Sequence, residues 1–374
     1  MNFENQWAAT EQHLAEEANS LGELLERLRT RISSALIGEP QWQGILERVR
    51  PLPATIAAFP FGFELPLHEP EPCADFGVAV FGGSRTAAYF EEAARSDSSN
   101  SSAVGIAGLL AASEPEDAPL RRVAGRKMLL EYDIDTTGRS AHPEPGIFLY
   151  PADNVLIGDR SPSRLRDLGI VSDAIAAATG RKLDETGRRP IEAVYLAMEP
   201  DSCIRAVGAF PSRGSGLRLA ITGFRQTGSV GPLLARIGWP GNVEKVAAIE
   251  SRYRKRGAFA YLGVHFDMQA NGVGPTLGLS FYAKEGQWLK DIRHWTPLID
   301  GISEDGLAVP EKLSALTEAW SGAQIVFGRA GPLILVRGIH HIKFTVIEDR
   351  IEQVKAYVFM LMLVSPLSEG KSTN

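Results

Sequence analysis

Residues His340–Leu363, HHIKFTVIEDRIEQVKAYVFMLML, alternate polar and apolar positions on both sides of a short turn. His341, Lys343 and Thr345 fall on one face of the first arm, and Ile342, Phe344 and Val346 on the other. In the second arm Gln353, Lys355 and Tyr357 alternate with Val354, Ala356 and Val358. A period of two sustained over this length predicts an antiparallel hairpin with one apolar face and one face of cations, a histidine and a tyrosine. Whether that polar face meets solvent or walls a site depends on what the rest of the chain builds around it.

The same pattern recurs. Hairpins are predicted to begin near residues 56, 125, 203, 259 and 333, in FGFELPL with DFGVAVFGG, GRKMLLEYDID with PGIFLYP, CIRAVGAFPSRGSGLRLAITGF, AFAYLGVHFDMQANGVGPTLGLSFYAK, and the opening stretch. The fourth carries Asn-Gly in its turn, a strong hairpin signal. Helical stretches separate them. One apolar period runs over residues 8–36, through Leu14, Ala18, Leu21, Leu24, Leu25, Leu28 and Ile32. Another runs through SRLRDLGIVSDAIAAAT, with Gly180 just past its end, and NVEKVAAIESRYRKR has Asn242 as N-cap. The serine-rich RSDSSNSS is expected to be a mobile surface loop and the tail, 365–374, to be disordered.

Parallel α/β folds alternate one strand with one helix. Here two strands follow each helix or helix pair, so the pairing is antiparallel and the class is α+β. Ten antiparallel strands can form an open sheet, a sandwich or a barrel, and a closed barrel removes exposed edges and leaves a lumen wide enough for a ligand. If the apolar faces pack on helices, the lumen holds Glu64, Glu131, Asp133, Arg205, Arg218, His265, Asp267, Tyr282, His341, Lys343, Lys355 and Tyr357. Small residues at Gly208, Ala209, Ala220 and Gly278 suit an inner wall.

Composition narrows the function classes. The chain has 374 residues, 44% of them hydrophobic, with a net charge of −6 and a pI near 5.8. That is no signature of general nucleic-acid binding. No apolar run is long enough to insert in a membrane as a helix, and the acidic N-terminus lacks the form of a signal peptide. Cys73 and Cys203 stand in no metal or redox spacing and read as buried thiols of a cytoplasmic protein. Dinucleotide, P-loop and nucleophile-elbow motifs are absent. His265, Asp267 and His341 could together serve a different His/Asp-based enzyme or a metal, although no third motif of recognised spacing supports a metal.

Five α-β-β-α units in one ten-stranded barrel ringed by helices resemble the ABBA-type (PT-barrel) aromatic prenyltransferases, nearest their indole branch. The likeness spans residues 1–364, read as one domain. FGFELPL looks like that branch's first strand, LEYDID with GIFLYP is similar to its second strand pair, and VKAYVFM resembles its Lys-x-Tyr strand. The resemblance implies transfer of a prenyl group from an allylic diphosphate to an aromatic or electron-rich small molecule or peptide. It implies Glu64 as base and Arg205, Arg218, Lys343, Lys355 and Tyr357 at the diphosphate. Tyr282, His265, Asp267, His341 and Glu131 would line the acceptor. No cofactor is required, though Asp267 or Asp133 could hold a Mg²⁺ bridging the diphosphate, as in some bacterial members of the fold. Lys-x-Tyr survives only at Lys355 and Tyr357; Gly146 and Phe148, and Gly278 and Ser280, stand where the family repeats it. The phosphate cage is thinner than the family's, and a barrel that binds a ligand or partner without prenyl transfer is the competing reading.

Overall fold

A computed structural model describes residues 3–134, 144–152, 154–214, 216–283 and 291–364. The expected disordered tail and most of the turn loop after Asp133 lie outside these residues. In chain order, helices α1 (Phe3–Glu17), α2 (Leu21–Leu28) and α3 (Glu39–Val49) precede strands β1 (Phe61–Pro66) and β2 (Asp75–Phe81). Next come α4 (Arg85–Ser96), α5 (Ser101–Ser113) and α6 (Pro119–Ala124) before β3 (Lys127–Tyr132) and β4 (Gly146–Leu149). Then α7 (Pro162–Ala178) and α8 (Glu185–Ala197) precede β5 (Cys203–Ala209) and β6 (Arg218–Phe224). Helices α9 (Val230–Arg236) and α10 (Val243–Arg254) precede β7 (Phe259–Gln269), the short β8 (Gly272–Val273) and β9 (Thr276–Ala283). Finally α11 (Thr296–Glu304) and α12 (Pro310–Ala319) lead to β10 (Gly322–Phe327), β11 (Pro332–Ile347) and β12 (Arg350–Val364).

Ten of these strands close on themselves in the order β1-β2-β3-β4-β5-β6-β7-β9-β11-β12, and β12 returns to β1. Every neighbouring pair is antiparallel. The architecture is therefore the closed ten-stranded barrel ringed by helices that the hairpin count implied. β10 extends the early half of β11 outside the ring. All five hairpin turns lie at one end of the barrel, here the turn end; the connections through helices leave from the other, the helix end.

The two faces of the strands have different fates. Val264, Phe266 and Met268 of β7, Leu277, Leu279 and Phe281 of β9, and Ile342, Phe344 and Val346 of β11 all face outward into one continuous core under the helices. Tyr253 of α10 stands edge-on to Phe344, centroids 4.5 Å apart, and Trp320 stands edge-on to Phe63 of β1 at 5.9 Å. Each such side chain contributes about 1.5–3 kcal/mol when fully buried. The stability of the barrel therefore comes from its outside, and the inner face is free to be polar. A separate small apolar cluster, Phe148, Ala206, Phe210 and Ala220 with Leu129 and Tyr150, lies on the inner face of β3–β6.

Several local expectations differ from what is seen. The 8–36 period is broken by Ser20, whose hydroxyl accepts from the Glu23 amide and starts α2; its seven apolar residues are all buried as expected. The serine-rich stretch is only a turn, because Asn100 accepts from the Ala103 amide and Ser101 and Ser102 already belong to α5. Helix α8 carries Pro190 in its interior, which hides it from a reading of breakers. Cys73 lies in the β1–β2 connection rather than on a strand, and both thiols are half-buried and free. No helix among the described residues is long and apolar enough to cross a membrane.

The seam between β1 and β12 is tight. A Cβ on Gly62 would lie 1.9 Å from the Val358 carbonyl oxygen, whereas one on Gly108, mid-helix in α5, would meet nothing. Gly62→Ala is expected to destabilise the protein by about 2–4 kcal/mol in urea unfolding, and Gly108→Ala to stabilise it by about 0.5–1 kcal/mol. Equal effects at the two positions would contradict the described seam.

Candidate active site

Side chains in the lumen fall into three levels. Nearest the turn end, Lys355 and Glu64 are drawn together across the β12–β1 seam, Nζ to Oε1 at 2.6 Å. Lys343 lies 4.0 Å from the other carboxylate oxygen and donates to the Tyr357 hydroxyl, which itself donates to Glu64. Toward the mouth, Arg218 forks onto Asp267 at 2.8 and 2.9 Å, and Arg213 forks onto Asp133. The Asp267 side chain is 46% exposed and Glu64 only 9%, so the level deepens from an open rim to an enclosed centre.

At the middle level the rings stack. His341 lies over Tyr357, centroids 4.1 Å apart at 11°, and on its other flank meets Tyr282 at 4.8 Å. His265 Nε2 is 3.2 Å from the Tyr282 hydroxyl. The aromatic wall of Phe148 and Phe210, edge-on at 5.2 Å, belongs to the β3–β6 side. Glycines make room for it: a Cβ on Gly208 would strike Phe148, and one on Gly146 would strike Phe210. Of these, Gly146 and Phe148 are positions where a Lys-x-Tyr pair was expected, and they belong to this ring wall instead.

At the helix end stand Lys127, Arg205, His340 and Tyr150. β-bulges place two of them. Ile204 pairs with Ile221 and Ala206 with Ala220, leaving Arg205 as an extra residue that turns inward beside Ala206. Likewise Ile339 pairs with Val358 and His341 with Tyr357, so His340 and His341 both face the lumen. Their Nδ1 atoms are 2.8 Å apart. Glu131, Tyr150, His265, Tyr282, Tyr357 and His340 are enclosed by the barrel yet keep accessible surface, and His340 counts as exposed. Enclosed but accessible side chains line a hollow. Two shallow surface grooves, of about 440 and 490 Å³, lie by Ser33 and Glu318 and by His68 and Gln353, outside this hollow; the site is assigned on the converging charges.

The electrostatics follow from enclosure. Burial alone would raise the Glu64 carboxyl, but Lys343, Lys355 and the hydrogen bonds it accepts outweigh burial and hold it below the usual range. Burial pulls the Lys343 ammonium down to about 8 against the pull of Glu64. Glu131 and Asp75 have weaker compensation: burial and then repulsion from Glu64 outweigh the nearby cations and, for Asp75, the Ile134 amide, and push each up to about 7. Burial keeps the three lumen histidines neutral, His340 down to about 4 and His265 and His341 well below their ordinary value.

Of the residues named from sequence, Glu64, Lys343, Lys355 and Tyr357 form one hydrogen-bonded group, with Arg218 and Glu131 beside it. Tyr282, His265 and His341 form the ring stack. Arg205 does not join the Lys343–Lys355 group; its bulge sends it to the helix end, beside Lys127. Asp267 does not join the histidines, because Arg218 holds it. Among the described residues no three His, Cys, Asp or Glu side chains group closely enough to hold a metal. Asp133 and Asp267, each forked onto an arginine, do not fit the Mg²⁺ role. Sequence reading missed Arg213, which projects from the β5–β6 turn, and His340, which strict alternation sends outward. Lys127 was within reach, since it shares the parity of Glu131.

No protein-family model matches the chain, and no curated protein matches it in sequence. Solved structures do. The 5-dimethylallyltryptophan synthase of Streptomyces coelicolor shares 13% identity with a TM-score of 0.51, over 96% of this chain and all of that one. The apo form of prenyltransferase PriB shares 12% with a TM-score of 0.52, over 91% of this chain and 96% of that one. At such identities the likeness is one of fold. The chain has the barrel of the ABBA-type aromatic prenyltransferases.

The Glu131 carboxyl, raised by its surroundings, binds its proton more tightly folded than unfolded. Its contribution to stability is present below the unfolded value and is lost as pH rises through about 7. Glu131→Gln is thus expected to match wild type in thermal unfolding near pH 4.5 and to be more stable at pH 8, by on the order of 1–2 kcal/mol. Parallel pH profiles for the two proteins would contradict this placement.

Proposed function

We propose that the chain transfers a prenyl group from an allylic diphosphate to an aromatic or electron-rich acceptor, a small molecule or peptide, inside the lumen. The observation that carries the reading is the enclosed group Lys343–Tyr357–Glu64–Lys355, with Arg218 on its solvent side. In it, two ammonium groups are held by one carboxylate. A diphosphate competes for those ammonium groups with far more charge than Glu64 brings, and the Arg218 guanidinium and Tyr357 hydroxyl can add hydrogen bonds.

In this mechanism the allylic C–O bond breaks and its electron pair leaves with the diphosphate, whose growing charge the lysines and Arg218 neutralise. The allyl cation is shielded by the rings of Tyr282, Tyr357 and His341 and by the Phe148–Phe210 wall, which exclude water and offer π faces. The acceptor's ring attacks the cation, and Glu64 takes the proton that the acceptor sheds. With its ammonium partners drawn to the diphosphate, Glu64 loses the influence that held its carboxyl low, so donor binding makes it a stronger base. Side chains supply all the positive charge this scheme requires, and no metal is invoked.

The test is turnover of dimethylallyl and geranyl diphosphate against a panel of indoles and phenols. Wild type should release diphosphate with formation of a prenylated product, and Lys355→Ala should lower kcat/KM by about 10²–10³-fold. Binding of the diphosphates without product across the panel would favour the ligand-binding barrel instead; undiminished turnover in Lys355→Ala would sink the residue assignment.

A further inference from the structure

Three strands run on past the rest of the barrel at its helix end. β1 leaves β12 at Met360 and β9 leaves β11 at His341, while β12 continues to Val364 and β11 reaches back to Pro332 with β10 beside it. The resulting flap is apolar on both faces. On its outer face Val326, Leu333, Leu335, Met360 and Met362 are buried in the core under the helices. On its inner face Ile334 and Val336 of β11 and Leu361 and Leu363 of β12 are half-buried, and Ile325 and Phe327 of β10 are 46% and 84% exposed. Register sets these side chains beside one another: Ile325 with Ile334 and Leu363, and Val336 with Leu361. Among the described residues only two other large apolar side chains are exposed, Val104 and Leu196, and they lie on separate helices. A contiguous apolar patch, unlike such scattered residues, marks a binding surface.

The inner face of the flap is continuous with the lumen. The inward positions of β12 are Lys355, Tyr357, Phe359, Leu361 and Leu363, in that order from the turn end to the helix end. An ammonium is followed by a ring of the stack, then by a second ring, then by two aliphatic side chains. β11 repeats the order with Lys343, His341, Val336 and Ile334. Phe359 pairs with Gly62 on one side and Gly338 on the other, so neither neighbouring strand brings a side chain into the lumen at that level. The helix-end cations Lys127 and Arg205 stand on β3 and β5, three and five strands round the ring from β12, and do not interrupt the row.

An allylic diphosphate has the same order: an anion, a reacting carbon, an apolar tail. With its phosphates at Lys343 and Lys355 and its reacting carbon at the stack of Tyr357 and His341, the remainder of the chain is directed along Phe359 onto the flap. From Tyr357 to Leu363 the strand climbs roughly 20 Å, the reach of about three to four isoprene units and several times that of a dimethylallyl group. A dimethylallyl group ends near the stack and leaves the flap bare.

We propose that the inner face of the flap seats the tail of a long-chain allylic diphosphate, of farnesyl or geranylgeranyl length, and thereby selects the donor. The inference rests on the prenyl-transfer reading and names its donor class. Apolar surface on both the tail and the flap leaves water when they meet, and a shorter donor forgoes that gain.

Calorimetric binding of unreactive donors tests this without turnover. The probes are dimethylallyl, geranyl, farnesyl and geranylgeranyl S-thiolodiphosphate, each kept below its micelle concentration. In wild type the farnesyl compound should bind about ten-fold or more tighter than the dimethylallyl one. Leu361→Asn and Ile334→Asn should each erase that margin. Lys343→Met should weaken all four compounds and keep the margin, and Val104→Asn, on α5, should change neither; circular dichroism and Tm would establish that each variant is folded. Equal affinity across the four lengths, or a margin intact in either flap variant, would overturn the tail site. A dimer seen by light scattering and broken by Phe327→Glu, with no preference for chain length, would also overturn it and give the flap to a second copy. Absence of binding by every thiolodiphosphate would instead overturn the prenyl-transfer reading itself, and the tail site with it.

Discussion

One carboxylate held by two ammonium groups sets the character of this molecule. Glu64 belongs to β1, and Lys343 and Lys355 to β11 and β12, so their contact spans the seam where the first strand of the barrel meets the last. Taking such charges out of water costs roughly several kcal/mol per ion, and well-packed apolar residues in their place are often neutral or stabilising. Closure of the barrel does not need them: the β1–β12 register and the outer core of Phe61, Phe63, Val358 and Met360 supply it. A costly group at a seam that is already closed is better explained by chemistry than by stability.

The barrel makes that group tenable. Because most large apolar side chains of the strands turn outward beneath the helices, the inner face carries the smaller part of the folding free energy. Polar groups there can be arranged for a ligand at small cost to the fold. The gradient runs from a rim of forked arginine–aspartate pairs, through the lysine–glutamate centre, to a neutral ring stack. In the proposed reaction it gives the diphosphate an attractive entrance and the allyl cation a ring-lined middle.

Much of the architecture could be read in the sequence, because period-two alternation in five hairpins is a strong physical signal and the antiparallel order follows from hairpin adjacency. The inner face was legible for the same reason: Glu64, Lys343, Lys355 and Tyr357 share one parity with their neighbours, and the structure brings them within contact. What failed was whatever broke the period. Arg205 and His340 are placed by bulges, which add one residue and leave no mark in composition, so their level in the lumen could not be foreseen. Pro190 inside α8 and the Asn100 cap of α5 show the same limit for helices, since local breakers are overridden or reused by tertiary packing. Which cations were already paired was also invisible, because Asp267 in β7 and Asp133 just past β3 are distant in sequence from Arg218 and Arg213.

The central claim is that Glu64 occupies the place an anionic ligand takes, holding the lysines until it arrives. The most direct test is the affinity of dimethylallyl S-thiolodiphosphate for wild type and for Glu64→Gln, measured by calorimetry on folded protein. Removing the competing carboxylate leaves both ammonium groups for the ligand. The account predicts tighter binding by Glu64→Gln, about ten-fold or more. Weaker or unchanged binding would contradict it, because Glu64 would then be a partner of the ligand or a bystander to it.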